Sequence, residues 1–104
     1  MAQGTHDFQA DPRNEKILID VNGTLVPRAE ARVSVFDSGF MLGDGVWEGL
    51  RVHRGKVAFL DAHMDRLYEG AKAIAMDLGL TREELEARID ATIDGNAMRD
   101  QEGV

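Results

Sequence analysis

The chain has 104 residues, a formal net charge of −7 at pH 7 and no cysteine. This length suits one domain with a modest core, and the acidic balance disfavours nucleic acid and anionic membranes as partners, because both attract basic surfaces. The lack of cysteine rules out disulfides and thiolate metal sites, and we expect a cytoplasmic protein because the sequence shows neither a signal peptide nor a stretch long enough to span a bilayer.

The first elements are an arm and a hairpin. Residues 1–15 are polar and lack helical or strand periodicity, so we predict a flexible N-terminal arm, followed by one compact domain over 16–104. The β-rich runs 17–21 and 24–26 flank Asn22-Gly23. Because both residues of that dipeptide tolerate positive φ, the pattern predicts an antiparallel hairpin.

A glycine-rich stretch over residues 35–51 follows and contains the only tryptophan of the chain. Gly43-Asp44-Gly45 is typical of a turn, and we predict a strand over Val46–Val52 behind it. Side chains alternate between the two faces of a strand. One face would carry Val46, Glu48 and Leu50, and the other Trp47, Gly49 and Arg51. The second face would be a ligand cleft, a partner surface or an ordinary solvent-exposed face, and composition alone does not choose among them.

A second hairpin and two helices complete the pattern. Gly55 marks the turn of the hairpin, and Asp61 can cap a first helix that Gly79 ends. Thr81 and Glu84 form a capping box for a second helix, which should end near 95–96. The first helix carries one apolar stripe of Leu60, Met64, Leu67, Ala71, Ile74 and Leu78. We therefore predict an α+β fold, a small antiparallel sheet with two helices packed on one face.

Few side chains qualify as chemical sites. His6, His53 and His63 do not occur at metal-ligand spacing, so we predict no metal site. Arg66 lies on the flank of the first helix's apolar stripe, where its guanidinium could reach an anion such as phosphate. The alternative is a surface arginine paired with a carboxylate, which is the more common arrangement on general grounds.

Two motifs at the right spacing give the chain a family resemblance. Residues 39–52, GFMLGDGVWEGLRV, and residues 60–67, LDAHMDRL, resemble the N-terminal small domain of the class IV aminotransferases, which are fold-type IV pyridoxal phosphate enzymes. The resemblance covers about residues 16–100. It implies that Arg66 binds the phosphate of pyridoxal 5'-phosphate and that Trp47, Gly49 and Arg51 face the substrate. It also implies amino-group transfer between an amino acid and a 2-oxo acid, by a homodimer.

The same resemblance implies that the catalytic parts lie elsewhere. In this family the Schiff-base lysine belongs to a large C-terminal domain, and Lys16, Lys56 and Lys72 match no family lysine. We therefore expect no catalytic residue in these 104 residues and no activity from the chain alone. The alternative is a non-catalytic binding or scaffolding fragment.

The substrate type stays open between subfamilies. Gly43-Asp44-Gly45 is similar to the D-amino-acid and aminodeoxychorismate lyase members, whereas residues 47–51 are closer to the branched-chain members. Leu42 stands where branched-chain members commonly have a tyrosine, and Trp47 is larger than the usual aromatic at its position. A lyase outcome differs only in the fate of the carbanion, so these residues do not exclude it.

Overall fold

The structure is a computed structural model that describes residues 11–100. Its helices and strands, in chain order, are β1 (Leu18–Val21), β2 (Thr24–Pro27), α1 (Ser38–Leu42), β3 (Val52–His53), β4 (Lys56–Val57), α2 (Leu60–Ala73) and α3 (Arg82–Gly95). Residues 1–10 of the proposed arm lie outside the described part. Within the rest of the arm, Pro12–Asn14 form a single 3-10 turn that is capped by Asp11.

The first hairpin is confirmed. β1 and β2 are antiparallel, with Leu18 opposite Pro27 and Val21 opposite Thr24. Asn22 and Gly23 both have positive φ, 53° and 91°, as their dipeptide predicts. The Asp20 carboxylate accepts a hydrogen bond of 2.8 Å from the Gly23 amide and so closes the turn.

The predicted strand over Val46–Val52 is wrong for most of its length. Only Val52–His53 form a strand, β3, and its partner is β4. The amide of Ala58 also donates to the carbonyl of Arg51 at 2.9 Å, which extends the pairing by one residue. Residues 43–51 have no assigned helix or strand. Periodicity predicts which side chains share a face, but a strand also needs a neighbour for its backbone hydrogen bonds.

The glycine-rich stretch contains a short helix that the sequence analysis missed. α1 begins after Asp37, whose carboxylate accepts from the Gly39 amide at 2.9 Å, and it ends at Gly43 with φ 74°. An aspartate cap followed by glycine past the last turn is the usual pair of helix boundary signals. The helix between the two signals is only five residues long, too short for the sequence to show a helical apolar pattern.

The limits of α2 differ from those predicted. Its N-cap is Phe59, in a left-handed conformation with φ 54°, and Asp61 lies in the first turn instead. The helix ends at Ala73, five residues before the predicted end at Leu78. Ala75 adopts φ 55°, and the Met76 amide donates to the Ala71 carbonyl at 2.8 Å. This pattern is a Schellman ending, so the helix stops without a glycine.

The capping box of α3 is confirmed. The Glu84 amide donates to Thr81 Oγ1 at 3.1 Å, and the Thr81 amide donates to Glu84 Oε1 at 3.2 Å. The helix ends at Gly95, as the sequence predicts. Just beyond it, the Asn96 side chain accepts from the Leu18 amide at 2.7 Å and donates to the Leu18 carbonyl at 2.9 Å. It therefore satisfies both backbone groups of Leu18 and ties α3 to β1.

The α+β class is confirmed, with one refinement. The strands of the described residues form two separate two-stranded sheets rather than one. The core side chains are Val52, Met64, Ala71 and Ile93, contributed by β3, α2 and α3. None of the helices over residues 11–100 is both long and apolar enough to cross a membrane.

Candidate functional site

Three side chains form an ionic cluster between residue 48 and helix α2. Arg66 Nε donates to Glu48 Oε2 at 2.8 Å, and Arg66 Nη2 donates to Glu48 Oε1 at 2.6 Å. His63 Nδ1 lies 2.5 Å from the same Oε1. The two parallel contacts of Arg66 make this a bidentate pair, the stronger arrangement of guanidinium and carboxylate. Of these three side chains, the sequence predicted only Arg66 as a site residue.

The local sequence explains why the three residues meet. His63 and Arg66 are three residues apart on α2, so they project from neighbouring positions on one helix face. Glu48 comes from the irregular segment 43–51, between the half-buried residues Val46 and Leu50. A carboxylate that shares a face with aliphatic side chains loses contact with water, so it needs a hydrogen-bonding or charged partner. The position of Glu48 between two aliphatic residues of that face was therefore the sequence signal for an ion pair.

The electrostatics of the cluster fix its protonation. The hydrogen bonds from Arg66 and then from His63 lower the pKa of Glu48 from its usual range to about 2. The side chain of Glu48 is only 10% exposed, so its charge is compensated mainly by these two partners. An ionised carboxylate can only accept hydrogen bonds, so Nδ1 of His63 carries the proton in this contact. The same hydrogen bond raises the pKa of Arg66.

The lowered pKa predicts acid sensitivity. Because the folded-state pKa of Glu48 lies below that of the free side chain, its ionisation stabilises the fold at pH values above 4.5. We expect this contribution to be lost as the pH falls from 4.5 to about 2. Urea titrations at several pH values should show a steeper loss in the wild-type chain than in Glu48→Gln. Equal slopes for the two proteins would contradict the assigned pKa.

Arg66 also keeps hydrogen-bonding capacity for a ligand. Its side chain is 69% exposed, and Glu48 uses only Nε and one N–H of Nη2. Within the described residues, Nη1 has no hydrogen bond, and Nη2 lies 3.4 Å from His63 Nδ1. The carboxylate-paired arrangement considered above is therefore the one observed. It still leaves the outer edge of the guanidinium open to an anion.

The predicted substrate-facing residues are all exposed. Trp47 is 83% exposed, and Gly49 and Arg51 are also exposed, whereas the intervening residues 46, 48 and 50 are partly buried. The alternation of faces is thus present even though no regular strand forms. Glu48 lies between Trp47 and Gly49 in the chain and is bonded to Arg66, so the predicted residues belong to one local region. No hydrogen bond in the described part joins Arg66 to Trp47 or Arg51.

Large apolar side chains are also exposed over residues 33–59. They are Val33, Val35, Phe36, Phe40, Met41, Leu42, Trp47 and Phe59. Most of them come from α1 and the segment before it. Soluble proteins seldom leave so many large apolar side chains exposed over so short a stretch of chain unless another surface covers them. We refer to this set as the apolar surface.

Comparisons with known proteins agree with the sequence motifs. A family model described as amino-transferase class IV matches residues 45–102. A branched-chain-amino-acid aminotransferase-like protein of Arabidopsis thaliana is 49% identical over 89 residues, which are 86% of this chain and 16% of that protein. A D-alanine aminotransferase of Bacillus licheniformis is 39% identical over 79 residues, 76% of this chain and 28% of that protein.

A solved structure extends the comparison to the fold. The branched-chain aminotransferase of Thermoproteus uzoniensis, crystallised with norvaline, superposes with a TM-score of 0.72 at 34% identity. The match covers 81% of this chain and 30% of that enzyme. The chain thus spans less than a third of the length of these relatives and corresponds to their N-terminal part. The motifs, the fold and the family match show that this chain belongs to the class IV aminotransferases.

Proposed function

We propose that this chain is the small domain of a pyridoxal phosphate-dependent aminotransferase, which moves an amino group between an amino acid and a 2-oxo acid. The observation that carries the proposal is the bidentate Glu48–Arg66 pair within the two family motifs. It holds an arginine at the edge of a helix with half of its guanidinium still available. Pyridoxal phosphate, when bound, supplies the carbonyl that takes up the amino group and the ring that delocalises the released electrons.

The residues of the cluster fit the cofactor's phosphate. A phosphate oxygen needs N–H donors, and Arg66 offers those of Nη1 and the second N–H of Nη2. The partial burial of Glu48 keeps the arginine from swinging freely into solvent. In this proposal Arg66 binds and orients the phosphate, while Glu48 and His63 contact Arg66 rather than the cofactor.

The exposed face of the segment 47–51 would meet the substrate. Arg51 would receive the substrate carboxylate, Trp47 would provide an aromatic wall, and Gly49 would leave room beside it. A β-carbon at Gly49 would only touch the Trp47 ring at 3.6 Å, an ordinary contact, so any need for glycine comes from the ligand side. Within the described residues, Arg51 has no hydrogen bond from its guanidinium and no ion pair.

Branched-chain amino acids are the first substrate class to test. The branched-chain-like relative from Arabidopsis is 49% identical, and the D-alanine aminotransferase from Bacillus is 39% identical. D-amino acids are the second class, supported by the Gly43-Asp44-Gly45 turn. An aminodeoxychorismate lyase-type reaction and a non-catalytic binding role stay as alternatives that the assay below separates.

The test fuses this chain to the remaining part of a solved relative. Residues 1–104 would replace the corresponding 30% of the Thermoproteus uzoniensis enzyme, and the fusion protein would be assayed with pyridoxal phosphate, L- and D-amino acids and a 2-oxo acid. We expect amino transfer by the fusion protein and none by the 104 residues alone. A folded fusion protein that absorbs at the wavelength of the bound cofactor but transfers no amino group would contradict the proposal. A fusion protein that binds no cofactor would support the scaffolding alternative.

Replacing Arg51 tests the substrate contact. In the fusion protein we expect Arg51→Ala to lower kcat/KM for the amino acid by about tenfold or more, because a charge-assisted hydrogen bond to the substrate is lost. Arg13→Ala is the matched control, since Arg13 is an exposed arginine whose one ion-pair partner among residues 11–100 is nearby Asp11. Unchanged kinetics in Arg51→Ala would refute its role.

The proposed assembly is a homodimer. The apolar surface defined above supports it, because these side chains would be buried by a second subunit or by the remainder of an aminotransferase. If a second subunit covers these side chains, sedimentation of the fusion protein would show a dimer. The proposed compartment is the cytoplasm, on the ground that the sequence has no cysteine to form disulfides.

A further inference from the structure

We propose that Glu48 is a positioning residue that sets the direction in which Arg66 presents its guanidinium to a phosphate-type anion. The inference rests on the proposed function, because it concerns the anion that Arg66 would bind. It adds a role for a residue that would not touch the cofactor. The supporting observation is the geometry between the mostly buried carboxylate of Glu48 and the exposed guanidinium of Arg66.

Glu48 is the better-held member of the pair. Its side chain is 10% exposed, against 69% for Arg66. One of its oxygens, Oε1, accepts from both Arg66 Nη2 and His63 Nδ1, and the other accepts from Arg66 Nε. A carboxylate that accepts from three donors and is itself mostly buried has little freedom to turn. The arginine, by contrast, would sample many rotamers without it.

Because the guanidinium is planar and rigid, holding one of its edges orients the whole group. Its N–H groups lie in one plane in a rigid fork, so fixing the edge formed by Nε and Nη2 also fixes the opposite edge. The N–H groups of Nη1 then point away from Glu48. A phosphate oxygen that approaches this edge meets donors that are already oriented, which lowers the entropy lost on binding.

A competing effect has the opposite sign and makes the inference testable. Glu48 is an anion, so it also repels a phosphate near Arg66, and its removal would strengthen phosphate binding if charge alone mattered. The repulsion acts across the guanidinium of an exposed side chain, where water and salt screen it. Loss of orientation acts directly on the hydrogen bonds to the ligand. We therefore expect orientation to dominate and phosphate binding to weaken when Glu48 is neutralised.

The experiment uses the full 104-residue chain with nitrogen-15 labelled arginine. In the wild-type chain the Nε–H signal of Arg66 should be ordered and slow to exchange, and in Glu48→Gln it should become mobile. Titration with inorganic phosphate, and separately with pyridoxal phosphate, should give a Kd about tenfold higher in Glu48→Gln than in wild type, the loss typical of a misdirected charge-assisted hydrogen bond. Free pyridoxal, which lacks the phosphate, should show no such difference.

Glu69→Gln is the matched control. It removes the same charge at an exposed position of α2, the helix that carries Arg66, and should leave the Arg66 signal unchanged and the phosphate Kd within about twofold of wild type. Tighter or unchanged phosphate binding in Glu48→Gln would overturn the inference and make Glu48 a mere competitor. An Arg66 signal equally ordered in both proteins would also overturn it, as would a wild-type chain whose Arg66 does not respond to phosphate. Failure of the proposed function shows separately, as a fusion protein that binds cofactor without amino transfer.

Discussion

Gly55→Ala is expected to lower the free energy of unfolding by about 2–4 kcal/mol, the combined cost of a left-handed alanine and an overlap with fixed backbone. Gly55 is buried in the turn between β3 and β4 and has φ 79°. A β-carbon there would overlap the carbonyl oxygen of Arg99, and it would lie 2.6 Å from Arg99 Cδ. Arg99 cannot simply move aside, because its Nη1 donates to the Gly55 carbonyl at 2.7 Å. Single domains are stable by only about 5–15 kcal/mol, so this loss is large.

Gly79→Ala separates the two parts of that cost. Gly79 also has a left-handed φ of 69°, but a β-carbon there would meet nothing within 4 Å. We expect Gly79→Ala to cost about 1–2 kcal/mol, the backbone penalty alone. Urea unfolding of the wild-type chain, Gly55→Ala and Gly79→Ala gives the loss of unfolding free energy for each variant. If Gly55→Ala were no more destabilised than Gly79→Ala, the close packing of Arg99 on the turn would be wrong.

Met64→Ala is expected to cost about 2–5 kcal/mol, because it removes a core side chain and leaves a cavity. Met64 is 1% exposed and is the largest fully buried side chain of the described residues. It lies on α2 one position after His63 and two before Arg66. Loss of its packing should therefore loosen the helix that carries Arg66, and the Arg66 Nε–H signal should exchange faster as well.

Met41→Ala is the matched control for this substitution. Met41 belongs to the apolar surface and is 58% exposed, so the same change of side chain should alter stability by no more than about 0.5 kcal/mol in the monomer. Thermal unfolding at low protein concentration compares the two variants. Similar losses for Met41→Ala and Met64→Ala would contradict the position of the core.

The sequence predicted the features that depend on neighbouring residues in the chain. Asn22-Gly23 specified a hairpin because both residues must adopt positive φ, and Thr81 with Glu84 specified the start of α3 because each satisfies the amide of the other. The alternating burial over residues 46–52 followed from the placement of apolar side chains. The Asp37 and Gly43 boundaries of α1 were local signals too, and they were missed only because the helix is five residues long.

The features that sequence reasoning got wrong depend on distant partners. No local pattern shows that residues 43–51 find no neighbouring strand, since a strand is completed by backbone groups elsewhere in the chain. The early end of α2 at Ala73 follows from the chain reversal at Ala75, a residue with no intrinsic preference for a left-handed conformation.

For the candidate site, the sequence by itself determined the family motifs and the position of Arg66 on the flank of a helix. Only the tertiary structure decided which carboxylate meets that arginine. Glu48 is 18 residues from Arg66 along the chain, and their pairing requires the irregular segment and α2 to pack side by side. Family motifs and helix caps involve residues only a few positions apart, so the sequence shows them directly. An ion pair between distant residues depends on the path that the chain takes between them.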